Sequence, residues 1–256
     1  LETLTGDKPW MLAIVPGAFY REHPEVGGDG AEIVRLARAN HWCCERIPTD
    51  SLGTLQQNSE TIVRFLDDRS SRFRVLLVTL SKGTTDAIAA AHQDPQILEH
   101  LAAWISVSGV IRGTMMADWL LDRWRLRPIL NVMCWRHGAE KQAVEDLRHR
   151  SVPSAEVFPR FPYLHIAGFP LKRHLSNWRA RLWHRRFRSI GPNDSVVLLE
   201  DLLDAPGCVL PVWGADHYLK SDWNASRAIE SIVDQLVQPA CRERAPLERT
   251  NLKASL

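Results

Sequence analysis

The sequence predicts an α/β fold: a mostly parallel sheet of about six strands with helices on both faces. Six short segments are mainly apolar, and segments with helical periodicity separate them. Strands that are apolar on both sides are typical of parallel sheets covered by helices on both faces. The chain has 256 residues, of which 45% are hydrophobic and 24% charged, so it is long enough to bury a sizeable core.

The first half of the chain contains four of the predicted strands. An apolar run at residues 10–15 ends at Pro16-Gly17, which predicts the first strand and the turn after it. Further runs rich in apolar residues predict the next three strands, at residues 41–47, 74–80 and 101–110. Apolar residues at helical spacing predict the helices between these strands, at residues 32–39, 54–68 and 84–92.

The second half of the chain contains the last two strands, at residues 163–167 and 208–213. Helices are predicted at residues 115–124, 139–150 and 227–237. We expect residues 1–237 to form one domain, with helical cap or lid insertions at about 113–150 and 170–190. Residues 238–256 are charged and contain two prolines, so we expect them to form a loose tail.

The strand at residues 74–80 ends on Thr79-Leu80-Ser81-Lys82-Gly83 and leads at once into a helix. A serine nucleophile on a sharp strand-to-helix turn needs small residues two positions before and after it, because strand and helix pass close together. Gly83 meets this need, and Thr79 is larger than the usual glycine but still small. The alternative is an ordinary serine that caps the helix.

Two later residues could activate such a serine. His217 follows the last predicted strand, and a serine hydroxyl needs a base such as histidine within hydrogen-bond reach to act as a nucleophile. Asp194 lies in a turn after the preceding strand and could orient the imidazole. Other acids near the same place in the sequence are alternatives to Asp194, namely Asp201, Asp204 and Asp216.

The order Ser81, Asp194, His217 resembles that of the α/β-hydrolase superfamily, in its esterase and lipase branch. Further motifs carry the resemblance. Residues 113–118 are similar to the Gly-[Ser/Thr]-x-x-Ala-Asp loop of many lipases, and residues 193–197 resemble Asn-Asp-Gly-x-Val around the acid, with serine in place of the glycine. The loop at residues 15–19 resembles the oxyanion loop, which implies an oxyanion hole formed by backbone at Gly17, Ala18, Phe19 and Lys82.

The resemblance implies a serine hydrolase that cleaves a carboxylic ester or thioester through an acyl-enzyme intermediate, with no metal and no cofactor. Its substrate would be a small-molecule or lipid-like acyl ester. Two alternatives remain open at this point. An acyltransferase or thioesterase could use the same triad, and a non-catalytic binding protein could share the fold.

Charge and cysteine content bear on partners and location. The net charge of +2 gives no indication of a nucleic-acid partner, and no apolar stretch approaches the length of a membrane span. The basic stretch at residues 172–188 contains two tryptophans and fits either peripheral contact with an anionic surface or a solvated cap helix.

Five cysteines without zinc spacing predict reduced thiols and a cytoplasmic protein. Residues 113–135 fit a mobile lid or a packed core helix equally well.

Overall fold

The strands of the described residues form one six-stranded sheet in which every neighbouring pair is parallel. The computed structural model describes residues 8–149, 162–175, 177–203, 207–219 and 225–237. In chain order the strands are β1 (Trp10–Val15), β2 (Cys44–Arg46), β3 (Arg74–Leu80), β4 (Leu101–Val107), β5 (Tyr163–Phe169) and β6 (Cys208–Trp213). Across the sheet the order is β2-β1-β3-β4-β5-β6. The predicted fold class is confirmed.

Helices connect these strands. In chain order they are α1 (Ala31–Ala39), α2 (Leu55–Ser70), α3 (Lys82–Gln93), α4 (Met115–Leu121), α5 (Arg127–His137), α6 (Lys141–Glu145), α7 (Trp178–Phe187), α8 (Glu200–Leu203) and α9 (Ala225–Val237). Side-chain caps fix several starting points. Thr54 forms a capping box with Gln57 at the start of α2, Thr114 caps α4, and Asn177 caps α7.

The sheet has a buried core on each face, and the alternation of side chains along a strand separates the two. In β1, Met11 and Ala13 face the core shared with α2 and α3, whereas Leu12 and Ile14 face the core shared with α1 and α9. All seven residues of β4 are buried. The central strands β1, β3 and β4 therefore read as nearly continuous apolar runs because both of their sides are covered, whereas the edge strands β2 and β6 are partly exposed.

The strand order reverses its direction at β1. The chain passes from β1 to β2 on one side and returns to place β3 on the other side of β1. Helix α1 therefore lies on one face of the sheet, while α2 and α3 lie on the other. In parallel sheets the loops at such a reversal diverge and leave a crevice at the carboxyl ends of the strands. Here the two loops are the one after β1, with Gly17, and the one after β3, with Ser81.

The observed helices differ from the predicted ones mainly in the second half of the chain. The helix predicted at 115–124 ends at Leu121, a short 3-10 turn follows at Trp124–Leu126, and α5 was not among the predicted helices. Pro128 lies in the first turn of α5 and Gly138 ends it in a left-handed conformation. The helix predicted at 139–150 is reduced to α6, and the tail at 238–256 lies outside the described residues.

Candidate active site

Ser81 lies on a strained turn between β3 and α3. Its backbone has φ 48° and ψ −119°, and α3 begins at the next residue. A non-glycine residue in such a conformation costs about 1–3 kcal/mol and persists only where the surrounding structure enforces it. The turn directs the chain from the end of a buried strand straight into a helix, as expected for an exposed nucleophile.

Two glycines allow the turn to pack against the end of β1. A Cβ atom on Gly83 would lie 2.5 Å from the carbonyl oxygen of Pro16 and 2.6 Å from that of Val15. A Cβ atom on Gly17 would lie 3.1 Å from the carbonyl oxygen of Leu80. The absence of a side chain at Gly83 therefore lets α3 approach the end of β1, whereas the prediction concerned the strand that carries Ser81.

The structure brings Ser81, His217 and Asp194 together. Ser81 Oγ lies 2.9 Å from His217 Nε2, and His217 Nδ1 lies 2.8 Å from Asp194 Oδ2. Both His217 and Asp194 are buried. Because an ionised carboxylate can only accept hydrogen bonds, this geometry suits the tautomer in which Nδ1 carries the proton and Nε2 presents its lone pair to the serine hydroxyl.

The loop around Asp194 holds the carboxylate in place. The amides of Val196 and Val197 both donate to Asp194 Oδ1, each at 2.9 Å, while Oδ2 faces the imidazole. The amide of His217 also donates to the carbonyl oxygen of Asp194 at 2.9 Å. Asp194 and His217 are thus joined through side chain and backbone, and the imidazole has little freedom to rotate.

The alternative acids occupy other places. Asp201 lies 3.0 Å from His149 Nε2 and 3.6 Å from Arg112, away from His217. Asp216 accepts from the amide of Tyr218 at 3.1 Å. Asp204 lies outside the described residues. Among the described acids, Asp194 is the one bonded to the His217 ring.

The loop after β1 lies beside Ser81. The amide of Gly17 donates to the carbonyl oxygen of Gly28 at 2.8 Å, and Phe19 has φ 58°. Since the Gly17 amide is engaged, Ala18 and Phe19 are the remaining predicted donors in this loop. Lys82 is the first residue of α3, where an amide has no partner within the helix.

The architecture is similar to that of solved esterases and lipases. A lipase from Bacillus licheniformis in its mature form aligns with a TM-score of 0.65 and 16% identity, over 91% of this chain and 94% of that one. A metagenomic carboxyl esterase aligns with a TM-score of 0.62 and 18% identity, over 90% and 72%. An esterase from a Rhodococcus species aligns with a TM-score of 0.54 and 10% identity, over 89% and 91%. By sequence, no protein-family model and no curated protein matches the chain.

The chain has the α/β-hydrolase fold. The resemblance that the sequence motifs suggested is confirmed at this level. The identities lie between 10% and 18%, so the agreement rests on the path of the backbone and not on shared side chains. The chemistry of the site therefore follows from its own geometry.

One feature of the site that sequence reasoning missed is a buried polar cluster behind Lys82. Lys82 Nζ lies 2.6 Å and 2.9 Å from the two carboxylate oxygens of Asp86, one helical turn further along α3. Asn58 of α2 also donates to Asp86, at 2.9 Å. Burial raises the pKa of the Asp86 carboxyl, and the charge and hydrogen bond of Lys82 oppose the rise. The lysine side chain points away from the Ser81 hydroxyl to this partner.

A second buried cluster lies under the turn. The indole N–H of Trp104 donates to Thr79 Oγ1 at 2.9 Å, and Thr79 Oγ1 lies 2.8 Å from Thr84 Oγ1. Thr84 Oγ1 in turn lies 3.1 Å from Ser106 Oγ. These contacts tie β3, β4 and α3 together immediately below Ser81. Thr79 therefore supplies a buried hydroxyl that the usual glycine of the α/β-hydrolase turn could not.

Helices α5 and α7 border the site. The rings of Phe19, in the loop after β1, and His137, at the end of α5, lie 5.9 Å apart. His184 Nδ1 of α7 lies 3.1 Å from the carbonyl oxygen of Asn193, next to Asp194. The regions predicted as cap insertions therefore contact both sides of the candidate site. Their mobility as a lid stays a prediction.

Proposed function

We propose that this protein is a serine hydrolase of carboxylic esters, with Ser81 as nucleophile, His217 as base and Asp194 as the orienting acid. The observation that carries the proposal is the hydrogen-bonded series from Ser81 Oγ through the His217 ring to Asp194, with Ser81 on a strained turn. The similarity to solved esterases and lipases supports the same reaction class.

In the proposed first step, Ser81 Oγ attacks the carbonyl carbon of the ester while its proton passes to His217 Nε2. Asp194 stabilises the imidazolium that forms, because its Oδ2 faces the Nδ1–H. The tetrahedral intermediate collapses, the bond to the leaving alkoxide breaks, and His217 gives its proton to that oxygen. The acyl group remains on Ser81.

In the proposed second step, His217 takes a proton from a water molecule, and the resulting hydroxide attacks the acyl carbon. Collapse of this intermediate breaks the bond to Ser81 Oγ, which regains its proton from His217, and the carboxylic acid leaves. The amide of Lys82 and an amide of Ala18 or Phe19 would donate to the oxyanion in both steps. Each such donor contributes about 3 kcal/mol in comparable enzymes.

A covalent probe and an ester assay test this proposal together. Wild-type protein is expected to react with a fluorophosphonate and to hydrolyse short nitrophenyl esters. Ser81→Ala should lose the label entirely and reduce kcat by about 10⁴-fold or more, because no other group replaces the nucleophile. Asp194→Asn should reduce kcat by about 10⁴-fold, since it removes the carboxylate that fixes the imidazole tautomer.

Ser108 provides a matched control for this experiment. It lies just after β4, is buried, and has the same backbone φ of 48° as Ser81, but no contact joins its hydroxyl to the His217 ring. Ser108→Ala should therefore keep the label. Retained labelling of the Ser81→Ala variant, or an inert wild-type protein, would overturn the proposal.

A further inference from the structure

The positive charge of this protein is concentrated in two segments, residues 123–136 and 171–190. Together they contain eleven of the 32 Lys and Arg residues and none of the 30 Asp and Glu residues. The remaining chain therefore has 21 basic and 30 acidic side chains, a formal charge of −9. The net charge is near zero, but the basic and acidic side chains are unevenly distributed along the chain. Basic side chains concentrated in one region attract anionic partners to that region.

The same two segments expose large apolar side chains. Trp135 is 83% exposed, Trp124 70% and Trp178 68%. Aliphatic side chains are exposed beside them on the same helices, namely Ile129, Val132 and Leu182. Ile129 and Val132 lie three residues apart on α5, and Trp178 and Leu182 lie four apart on α7, so each pair shares a helix face. Exposed apolar groups clustered in this way mark an interaction surface.

The two segments meet over one tryptophan ring. The guanidinium of Arg123, from the first segment, lies 4.6 Å from the centroid of the Trp119 ring, and that of Arg186, from the second, lies 4.2 Å from it. Trp119 also contacts Trp183 of α7, with ring centroids 5.1 Å apart. Residues 123–136 and 171–190 are therefore neighbours in space, and we refer to them together as the Arg–Trp surface.

The Arg–Trp surface adjoins the candidate active site at both of its ends. Helix α5 reaches the loop after β1 through the contact of His137 with Phe19. Helix α7 reaches the acid loop through the contact of His184 with Asn193. A partner that binds this surface would thus lie next to Ser81 and His217.

We propose that the Arg–Trp surface docks on an anionic lipid bilayer. Arginine side chains bind lipid phosphates at the bilayer surface, and tryptophan rings partition into the headgroup region, so this combination of residues matches a lipid surface. A nucleic acid would satisfy the arginines but would leave the exposed aliphatic side chains in water, and an acidic protein would cover both only by presenting a matching apolar patch. Among the described residues, no helix is long and apolar enough to span a membrane, so docking would be peripheral.

Vesicle sedimentation tests the proposal without any measurement of ester hydrolysis. The full chain is mixed with vesicles of phosphatidylcholine alone, or of phosphatidylcholine with phosphatidylglycerol, at low and high salt. We expect binding to the anionic vesicles with an affinity about tenfold or more above that for the neutral ones, and weakening by salt. Because Ser81→Ala should bind equally well, failure of docking and failure of the proposed function are separate results.

Two sets of variants assign the binding to this surface. Arg181→Glu with Arg185→Glu reverses two exposed charges on α7 and should weaken binding to anionic vesicles about tenfold or more. Arg64→Glu with Arg72→Glu makes the same change in charge at exposed positions in and just after α2, on another part of the molecule, and should leave binding unchanged. Circular dichroism and thermal melting establish that each variant is folded.

The exposed tryptophan distinguishes a bilayer from other polyanions. Trp135→Ser should weaken vesicle binding but not binding to heparin, because only the bilayer has an apolar layer for the indole to enter. Three results would each overturn the proposal. They are equal binding to neutral and anionic vesicles, an equal loss of vesicle binding in the Arg64/Arg72 control variant, and vesicle binding that Trp135→Ser leaves unchanged.

Discussion

Ser195 adopts a backbone conformation that suits glycine. Its φ is 92°, in a region that side chains rarely occupy, and its side chain is buried. The motif that residues 193–197 resemble has glycine at this position, so the serine bears strain where the related loop has none. The strain is tolerated because the loop holds Asp194 through two backbone amides.

Ser195→Gly should therefore stabilise the protein. Relief of strain is worth about 1–3 kcal/mol, and the greater freedom of glycine in the unfolded chain takes back about 0.5–1 kcal/mol, which leaves a gain of about 1 kcal/mol. For a chain of this size that gain raises Tm by about 2–4 °C in a thermal melt. Ser71→Gly is the matched control. Ser71 has φ −64°, so glycine relieves nothing there and should lower Tm.

The Lys82–Asp86 pair illustrates how a buried charge depends on its partner. Lys82→Met would leave the Asp86 carboxylate without its cation and should destabilise the protein by about 3–5 kcal/mol. Lys82→Met with Asp86→Leu removes both charges and should recover most of that loss. Urea unfolding of the three proteins measures the difference. A double variant no more stable than the single one would contradict this account.

At the scale of elements, the contact between α3 and the end of β1 sets the position of the turn. Gly83→Ala would place a methyl group against two backbone carbonyl oxygens that have no room to move, so helix and strand must separate. We expect loss of fluorophosphonate labelling and a lower Tm. Gly27→Ala is the control, because Gly27 also lies at a turn but has no atom within 4 Å of the added Cβ. The Gly27→Ala variant should still be labelled, and its stability should fall by about 1 kcal/mol because alanine is strained at the positive φ of this residue.

Among the elements, the sequence predicted most clearly the strands whose residues are completely buried. The central strands were predictable because both of their faces are covered, as in β4, whereas the edge strands β2 and β6 are partly exposed. For helices α5 and α7 the sequence leaves alternatives open, a lid or a packed core helix at residues 113–135 and a contact surface or a solvated cap helix at 172–188, because their exposed faces combine arginine with tryptophan. Their boundaries depend on local features, such as the Asn177 cap and Gly138, that are common in loops as well.

The candidate site was predictable for a different reason. Ser81 and His217 come shortly after β3 and β6, Asp194 lies after α7 in the connection between β5 and β6, and a parallel sheet brings the carboxyl ends of its strands to one edge. The buried polar cluster of Lys82, Asp86 and Asn58 behind the turn was harder to predict from the sequence. The spacing of Lys82 and Asp86 is that of a helical pair and was visible, whereas Asn58 lies 28 residues from Asp86 and only the packing of α2 on α3 joins them.

At the scale of the whole molecule, charge is distributed unevenly between the Arg–Trp surface and the rest of the chain. The face formed by residues 123–136 and 171–190 is cationic, and the remainder of the chain is anionic. An anionic remainder is repelled by an anionic bilayer, so the molecule would be oriented as well as attracted. With the Arg–Trp surface turned toward the lipid, the loops of the proposed catalytic site would face the same way.

The distance along the chain between the proposed nucleophile and its base has a consequence for biosynthesis. Ser81 and His217 are 136 residues apart, and His217 follows β6, the strand at one edge of the sheet. A nascent chain that has just completed β5 already contains Ser81 but has neither Asp194 nor His217. The serine would therefore remain an ordinary hydroxyl throughout most of synthesis, and the growing chain could not acylate itself or its neighbours before the sheet is complete.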